Sequence, residues 1–264
     1  MNIFLRELRA NFKSLVIWGG IVSLFVVVGI SKFSAYEGNP EMLQLLDNMP
    51  PALMDAFNMQ AFNLTTLEGF FGVMFTYFAL LLSIAAAMWG SDIISKEERD
   101  KTVEFSLVLP VTRSRIITAK ALAALVNCIA LLLITWGVSL AAAAQYSPDE
   151  AFYRFLGLCM AALFFLQLIF LAVGLLLGCA MKQYRRTGTA AIAILLGSYF
   201  LSILSGMHED LEFLKYLTPF KYFDPALLLH ESRFEPVYLI LTALIVLVSL
   251  AGAYYTYARR DLYV

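Results

Sequence analysis

Charged residues are scarce in this 264-residue chain, in which Asp, Glu, Lys and Arg together make up 15% of the sequence. An average soluble domain contains about 25% of these residues and roughly 45–50% apolar ones. Here hydrophobic residues make up 61%, which is the composition of a chain embedded in lipid. The formal net charge is −1, so the sequence lacks the basic bias of nucleic-acid-binding proteins, and we expect no nucleic acid among its partners.

Residues that commonly carry catalysis or bind metals are also few. The three cysteines lie inside apolar runs without C-x-x-C spacing, and we interpret them as small core residues. The two histidines, His208 and His230, precede the last apolar run and have no evident partner. The sequence contains no G-x-x-x-x-G-K-[ST], H-E-x-x-H or G-x-S-x-G motif. We therefore predict no metal site, no cofactor bound by this chain and no catalytic residue.

Six apolar runs approach or exceed the roughly 20 residues that a transmembrane helix needs. They predict an all-α integral membrane protein with six transmembrane helices, in a single domain over residues 1–264. Thr65-x-x-Glu68 and Ser147-Pro148-x-Glu150 are typical of helix starts, and they precede the second and fourth spans. The spans are predicted at about 15–30, 69–94, 119–144, 155–181, 189–206 and 236–258.

The basic residues predict which side of the membrane each loop faces. With six spans both termini lie on one side, and 14 of the 19 Lys and Arg residues fall on that side. By the positive-inside rule, the termini and the segment 95–118 are therefore cytoplasmic. The 14 residues are Arg6, Arg9, Lys13, Lys96, Arg99, Lys101, Arg113, Arg115, Lys120, Lys182, Arg185, Arg186, Arg259 and Arg260.

The predicted spans contain few charged residues. Secondary transporters usually carry buried carboxylates there, which mark an ion or proton path because burying a charge in hydrocarbon is costly. The polar residues deep in these spans are mild, and Asn127, Thr135 and Gln167 are our candidates for lining a translocation path. Gly174 and Gly178 form a G-x-x-x-G, which lets helices approach closely. We expect that motif to pack within the chain, with subunit dimerisation as the alternative.

Two amphipathic stretches lie on the predicted cytoplasmic side. Residues 4–12 have their apolar side chains on one helical face, as in an interfacial helix lying on the membrane surface. Between spans two and three, a charged run is followed by an apolar cluster that ends at Pro110. That segment fits a short helix that docks a soluble partner and equally an ordinary solvated loop. The residues concerned are Phe4, Leu5, Leu8 and Phe12 in the first stretch, and Glu97, Glu98, Arg99, Lys101, Val103, Glu104, Phe105 and Leu107 in the second.

Three stretches carry a resemblance to a known family. The charged run 97–104, followed by Leu-Val-Leu-Pro at 107–110, Thr112-Arg113 and Lys120, resembles the charged loop of type-2 ABC exporter permeases. Residues 49–59 resemble that family's outer segment after the first span. Residues 217–225 resemble the segment before its last span. The resemblance covers nearly the whole chain, both in the order of its segments and in the number of spans.

The resemblance implies a permease subunit that forms the translocation path of an exporter in the plasma membrane, here a bacterial cell membrane. It implies two copies of a separate ABC ATPase, which bind the ATP and Mg, and a second permease subunit that is identical or homologous. The loop 97–107 would then be a coupling helix that meets the ATPase, with the interfacial helix beside it. A secondary transporter or channel not coupled to ATP is the alternative, and the charge-poor spans count against it.

Overall fold

A computed structural model of the chain describes residues 3–37, 39, 62–99, 111–207 and 209–259. These residues form helices and turns and no strand, and six of the helices are long and apolar enough to cross a membrane. The predicted all-α membrane class with six transmembrane helices is confirmed. The helices are α1 (Ile3–Ser31), α2 (Leu67–Arg99), α3 (Arg113–Ala143), α4 (Glu150–Ala180), α5 (Tyr184–Met207), the short α6 (Pro225–Glu231) and α7 (Pro236–Arg259).

The first three helices are longer than the predicted spans. α2 has 33 residues, which at 1.5 Å per residue is about 50 Å, whereas the hydrocarbon core of a bilayer is about 30 Å thick. The additional turns lie at the start of α1, the end of α2 and the start of α3, where the sequence is rich in Arg and Lys. We therefore expect the charged residues in these turns to lie beyond the hydrocarbon.

The predicted interfacial stretch is continuous with the first spanning helix. α1 runs without a break from Ile3 to Ser31, because no proline or glycine interrupts the chain before Gly19. Leu5 and Phe12 are exposed, while Phe4 and Leu8 are partly buried against the core. An orientation of these turns along the membrane surface stays a prediction.

α2 and α4 form the centre of the helix bundle. In the most apolar segment of α2, 67% of the residues are buried inside the chain, and in that of α4, 61% are buried. The corresponding fractions in the other four long helices are 22–39%. α1 contacts α3 where Gly19 meets Ile134, and α7 contacts α4 where Gly252 meets Leu176. The least buried segments, those of α1, α5 and α7, are the ones that offer most apolar surface to lipid.

Glycines bring α2 and α4 into backbone contact. A Cβ atom added to Gly174 would lie 2.5 Å from the carbonyl oxygen of Ala87, and one added to Gly178 would lie 2.9 Å from that of Ser91. On the other helix, a Cβ at Gly90 would lie 2.4 Å from the carbonyl oxygen of Leu171. The G-x-x-x-G of the fourth span therefore packs within the chain, as we predict from the sequence.

Two helix starts differ from their predicted caps by one or two residues. The hydroxyl of Thr66, not that of Thr65, accepts a hydrogen bond from the Gly69 amide at 3.2 Å. α4 is capped by Asp149, whose carboxylate accepts from the Phe152 amide at 2.9 Å. Ser147 has a positive φ of 50°, so it belongs to the turn before the helix and cannot cap it.

We predict that Gly174→Ala destabilises the protein. Its added methyl group would overlap the α2 backbone, and overpacking of this kind costs about 1–3 kcal/mol. Gly157→Ala is the matched control on the same helix, because nothing lies within 4 Å of its added Cβ and alanine favours a helix by about 0.5–1 kcal/mol over glycine. The measurement is the thermal unfolding midpoint in detergent, and equal midpoints for the two variants would contradict the close contact.

Candidate functional site

A buried ion cluster joins α1, α2 and α3 at their arginine-rich ends. Its central cation is Lys120 of α3, whose side chain has no exposed surface. Its Nζ atom lies 3.0 Å from Oε1 of Glu97 on α2 and 3.7 Å from Oε1 of Glu7 on α1. It also donates a hydrogen bond of 2.7 Å to the carbonyl oxygen of Ile93. One side chain of α3 thus contacts both neighbouring helices.

Two further cations complete the cluster. Nη2 of Arg6 lies 2.7 Å from Oε1 of Glu97 and 3.3 Å from Oε1 of Glu7. The ammonium group of Lys96 pairs with Oε2 of Glu7. The exposed fractions of the two carboxylate side chains are only 2% for Glu7 and 8% for Glu97. Three positive charges thus surround two buried negative ones, so each carboxylate is compensated.

Two further polar contacts outside the cluster join helices in the same half of the bundle. Nε1 of Trp89 on α2 donates to Oγ of Ser14 on α1 at 2.9 Å. The Arg113 guanidinium, at the start of α3, donates to the carbonyl oxygens of Tyr257 and Ala258 at 3.3 and 3.2 Å. These carbonyls belong to the last turn of α7, which a cation stabilises. Four of the six long helices are therefore connected at their arginine-rich ends.

The structure places three of the predicted coupling residues, at the end of α2. Glu97 points into the ion cluster, Glu98 is partly buried, and Arg99 is exposed, with its guanidinium 2.7 Å from Oδ1 of Asp92. The other predicted coupling residues, Lys101, Val103, Glu104, Phe105 and Leu107, lie outside the described residues, as does the segment 49–59.

The sequence alone does not predict that the charged residues of α1, α2 and α3 form a cluster. The charge distribution puts Arg6, Lys96 and Lys120 on one side of the membrane, but it does not show that they meet. Two signals in the sequence point to the missed contacts: Glu7 is the only acidic residue before Glu37, and Lys120 is the only charged residue between Arg115 and Asp149. Glu7 has the neighbouring cations Arg6 and Arg9, but Lys120 is isolated in an apolar stretch, and such a charge, if buried, needs a partner from another part of the chain.

The three predicted path-lining residues are buried inside the chain. Asn127 is 2% exposed, and Thr135 and Gln167 have no exposed surface. The Thr135 hydroxyl donates to the Leu131 carbonyl oxygen at 2.8 Å, within its own helix. Nε2 of Gln167 donates to the Cys128 carbonyl oxygen at 3.3 Å and so links α4 to α3.

Two cavities with polar and apolar lining residues lie along the contact between α2 and α5, which we call the α2–α5 seam. The cavity at the arginine-rich helix ends, which we call the inner cavity, has a volume of about 360 Å³, and the one at the opposite end, which we call the outer cavity, about 50 Å³. The two helices run antiparallel, so the cavities lie at opposite ends of the seam. The inner cavity is lined by Ser91, Asp92, Ser95, Arg99, Tyr184, Arg185, Gly188 and Thr189, and the outer one by Phe75, Thr76, Ala79, Tyr199, Ser202, Ile203, Phe220, Lys221, Asp224 and Pro225.

Comparison with known protein families gives one match that spans the chain. A family model described as "ABC-2 family transporter protein" matches residues 1–262. The match includes all six long helices, the ion cluster and the α2–α5 seam. A comparison with curated proteins gives no significant match.

We predict that Lys120→Met strongly destabilises the protein. The substitution leaves two buried carboxylates without their shared cation, and breaking a buried pair from one side costs about 3–5 kcal/mol. The matched control is Arg233→Met, which breaks an exposed pair with Glu231 and should cost at most about 1 kcal/mol.

The measurement is the unfolding midpoint of each variant in detergent. The double variant Glu97→Gln with Lys120→Met removes one charge of each sign and should recover part of the loss. A Lys120→Met midpoint no lower than that of Arg233→Met would show that the cluster does not stabilise the helix ends.

Proposed function

Because the chain belongs to the ABC-2 transporter family, we propose that it is the membrane-spanning permease subunit of an ATP-driven exporter. The resemblance seen in the sequence is confirmed at the level of the family, and the chain is a multi-pass membrane protein of an ABC transporter. Permeases of this family normally work with an ABC ATPase. We propose that two ATPase copies carry the ATP and Mg and that a second permease, identical or homologous, completes the path.

The observation that best supports ATPase coupling is the position of the ion cluster. The segment predicted to meet the ATPase joins the end of α2 to the start of α3, and the cluster holds these two ends together through Glu97 and Lys120. Arg6 and Glu7 add α1 to the same unit. A force applied to the loop would therefore move the ends of three helices together.

The distribution of buried charge supports an external energy source. Among the described residues, the buried charged side chains are Glu7, Glu97 and Lys120, and all three belong to the cluster at the helix ends. Ion-coupled transporters place such groups near the middle of the membrane. A secondary transporter or channel is therefore the weaker alternative.

We place the translocation path along the α2–α5 seam. The seam carries a cavity at each end, and hydroxyl and charged side chains take part in lining both. Asn127, Thr135 and Gln167, by contrast, offer almost no surface to a cargo. At the inner cavity Gly188 of α5 faces Ser91 of α2 without a side chain between them. Two permeases that face each other across their seams would enclose one path.

We predict that both termini and the segment 95–118 face the cytoplasm of the bacterial cell, since 14 of 19 basic residues lie on that side. Asp100→Cys should react with a membrane-impermeant maleimide only after cells are permeabilised. Arg233→Cys, at a position that is 72% exposed on the opposite side, should react in intact cells. The native cysteines are all buried, so background labelling should be low. Labelling of residue 100 in intact cells would reverse the topology.

We predict that the coupling loop meets the ATPase mainly through Phe105. Interface hot spots are typically large buried side chains, so Phe105→Ala should weaken assembly by about 2 kcal/mol, which is roughly a thirtyfold change in affinity. Arg99→Ala is the comparison on the same segment, and its effect on assembly should be smaller because its pair with Asp92 is exposed. Arg99 also lines the inner cavity, so assembly is the measurement that compares the two variants.

The measurement is co-purification of the permease with its ATPase, followed by ATPase activity and transport in vesicles. Unchanged assembly and transport in both variants would exclude the loop as the contact. Full transport by this chain without any ATPase would overturn the proposed function.

A further inference from the structure

An apolar groove with a volume of about 220 Å³ runs between α3, α4 and α7. The lining positions on α3 extend from Thr118 to Leu125, and those on α7 from Val246 to Tyr254. At 1.5 Å per residue these stretches are about 10–12 Å long, which is less than half of the roughly 30 Å hydrocarbon thickness. The groove therefore lies within one leaflet, on the side of the arginine-rich helix ends.

The end of the groove nearest the membrane surface is polar. The hydroxyls of Thr118 and Tyr254 are 2.7 Å apart and bridge α3 and α7 there. The deeper lining is aliphatic and comes from all three helices. It includes Leu122, Leu125, Leu171, Leu175, Val246 and Leu250.

Three arginines lie within five residues of this polar end along α3 and α7. Arg115 is exposed and lies three residues before Thr118, so the two side chains share one face of α3. The Arg113 guanidinium donates hydrogen bonds to the last carbonyl oxygens of α7. Arg259 lies in that same turn of α7, with its guanidinium 4.3 Å from the Tyr255 ring centre. The groove thus combines an apolar interior with a positively charged mouth at the level of the lipid headgroups.

We propose that this groove binds an anionic phospholipid, with one acyl chain between α3, α4 and α7 and the phosphate beside Arg115. An apolar groove alone would accept the chain of any lipid. The basic mouth selects negatively charged headgroups, since each Lys or Arg near the membrane surface attracts anionic lipid. The proposal is independent of the transport function, because it depends only on the groove and its charges.

The test is native mass spectrometry of the full chain in detergent, with phosphatidylglycerol and phosphatidylethanolamine of identical acyl chains. The wild-type protein should retain phosphatidylglycerol in preference to phosphatidylethanolamine. Arg115→Gln should lower retention of phosphatidylglycerol about fivefold, the effect of one interfacial basic residue. Arg154→Gln, an exposed arginine on the opposite side, should leave it unchanged.

A second pair of variants tests the groove itself. Leu122→Trp places a bulky ring at a partly exposed lining position and should abolish retention of the bound lipid. Leu133→Trp is the control, because Leu133 is similarly exposed on the same helix outside this groove. If Leu122→Trp does not fold, the comparison of Arg115→Gln with Arg154→Gln tests the proposal by itself.

Equal retention of the two lipids by the wild-type protein would overturn the proposal. So would unchanged phosphatidylglycerol retention in a folded Leu122→Trp variant. A change from dimer to monomer in Leu122→Trp, with lipid retention unchanged, would show that a second copy of the chain covers the groove instead.

Discussion

The ammonium group of Lys120 is fully buried, and a protein tolerates such a charge only where opposite charges and hydrogen bonds compensate for the lost water. Glu97, Glu7 and the Ile93 carbonyl oxygen provide this compensation, and they come from two other helices. The relative positions of α1, α2 and α3 at this end depend on that requirement. If one helix end moved away, a buried charge would be left unpaired, so the three ends form one mechanical unit.

Deeper in the membrane the contacts between helices have a different physical origin. Lipid tails are as apolar as leucine, so spanning helices associate by close packing and not by escape from water. The glycines Gly90, Gly174 and Gly178 allow that packing by bringing the backbones of α2 and α4 together. α2 takes part in the ion cluster, in this glycine contact and in the α2–α5 seam, so a displacement at its charged end reaches the seam through a packed helix.

The fold class follows from the sequence because hydrophobic run length is a direct signal of a spanning helix. No comparable signal in the sequence shows the direction in which a side chain points. Glu97 is one of a run of charged residues that a solvated or docking loop would also contain, yet its carboxylate meets Arg6, 91 residues earlier in the chain. Likewise, both Ser147 and Asp149 can cap a helix, and only the backbone conformation shows that Asp149 does so. A tertiary contact decides the first case and the local backbone conformation the second.

Arg99 connects the proposed ATPase contact to the proposed path. It belongs to the predicted coupling segment, and together with Asp92 it lines the inner cavity of the α2–α5 seam. The two side chains are about half exposed, so their pairing is weak and exchanges readily with water. The neighbouring Glu97 is held in the buried cluster. The end of α2 thus has a buried side chain facing α1 and α3 and a half-exposed ion pair facing the cavity. We therefore expect a displacement of this end of α2 to change the shape of the cavity.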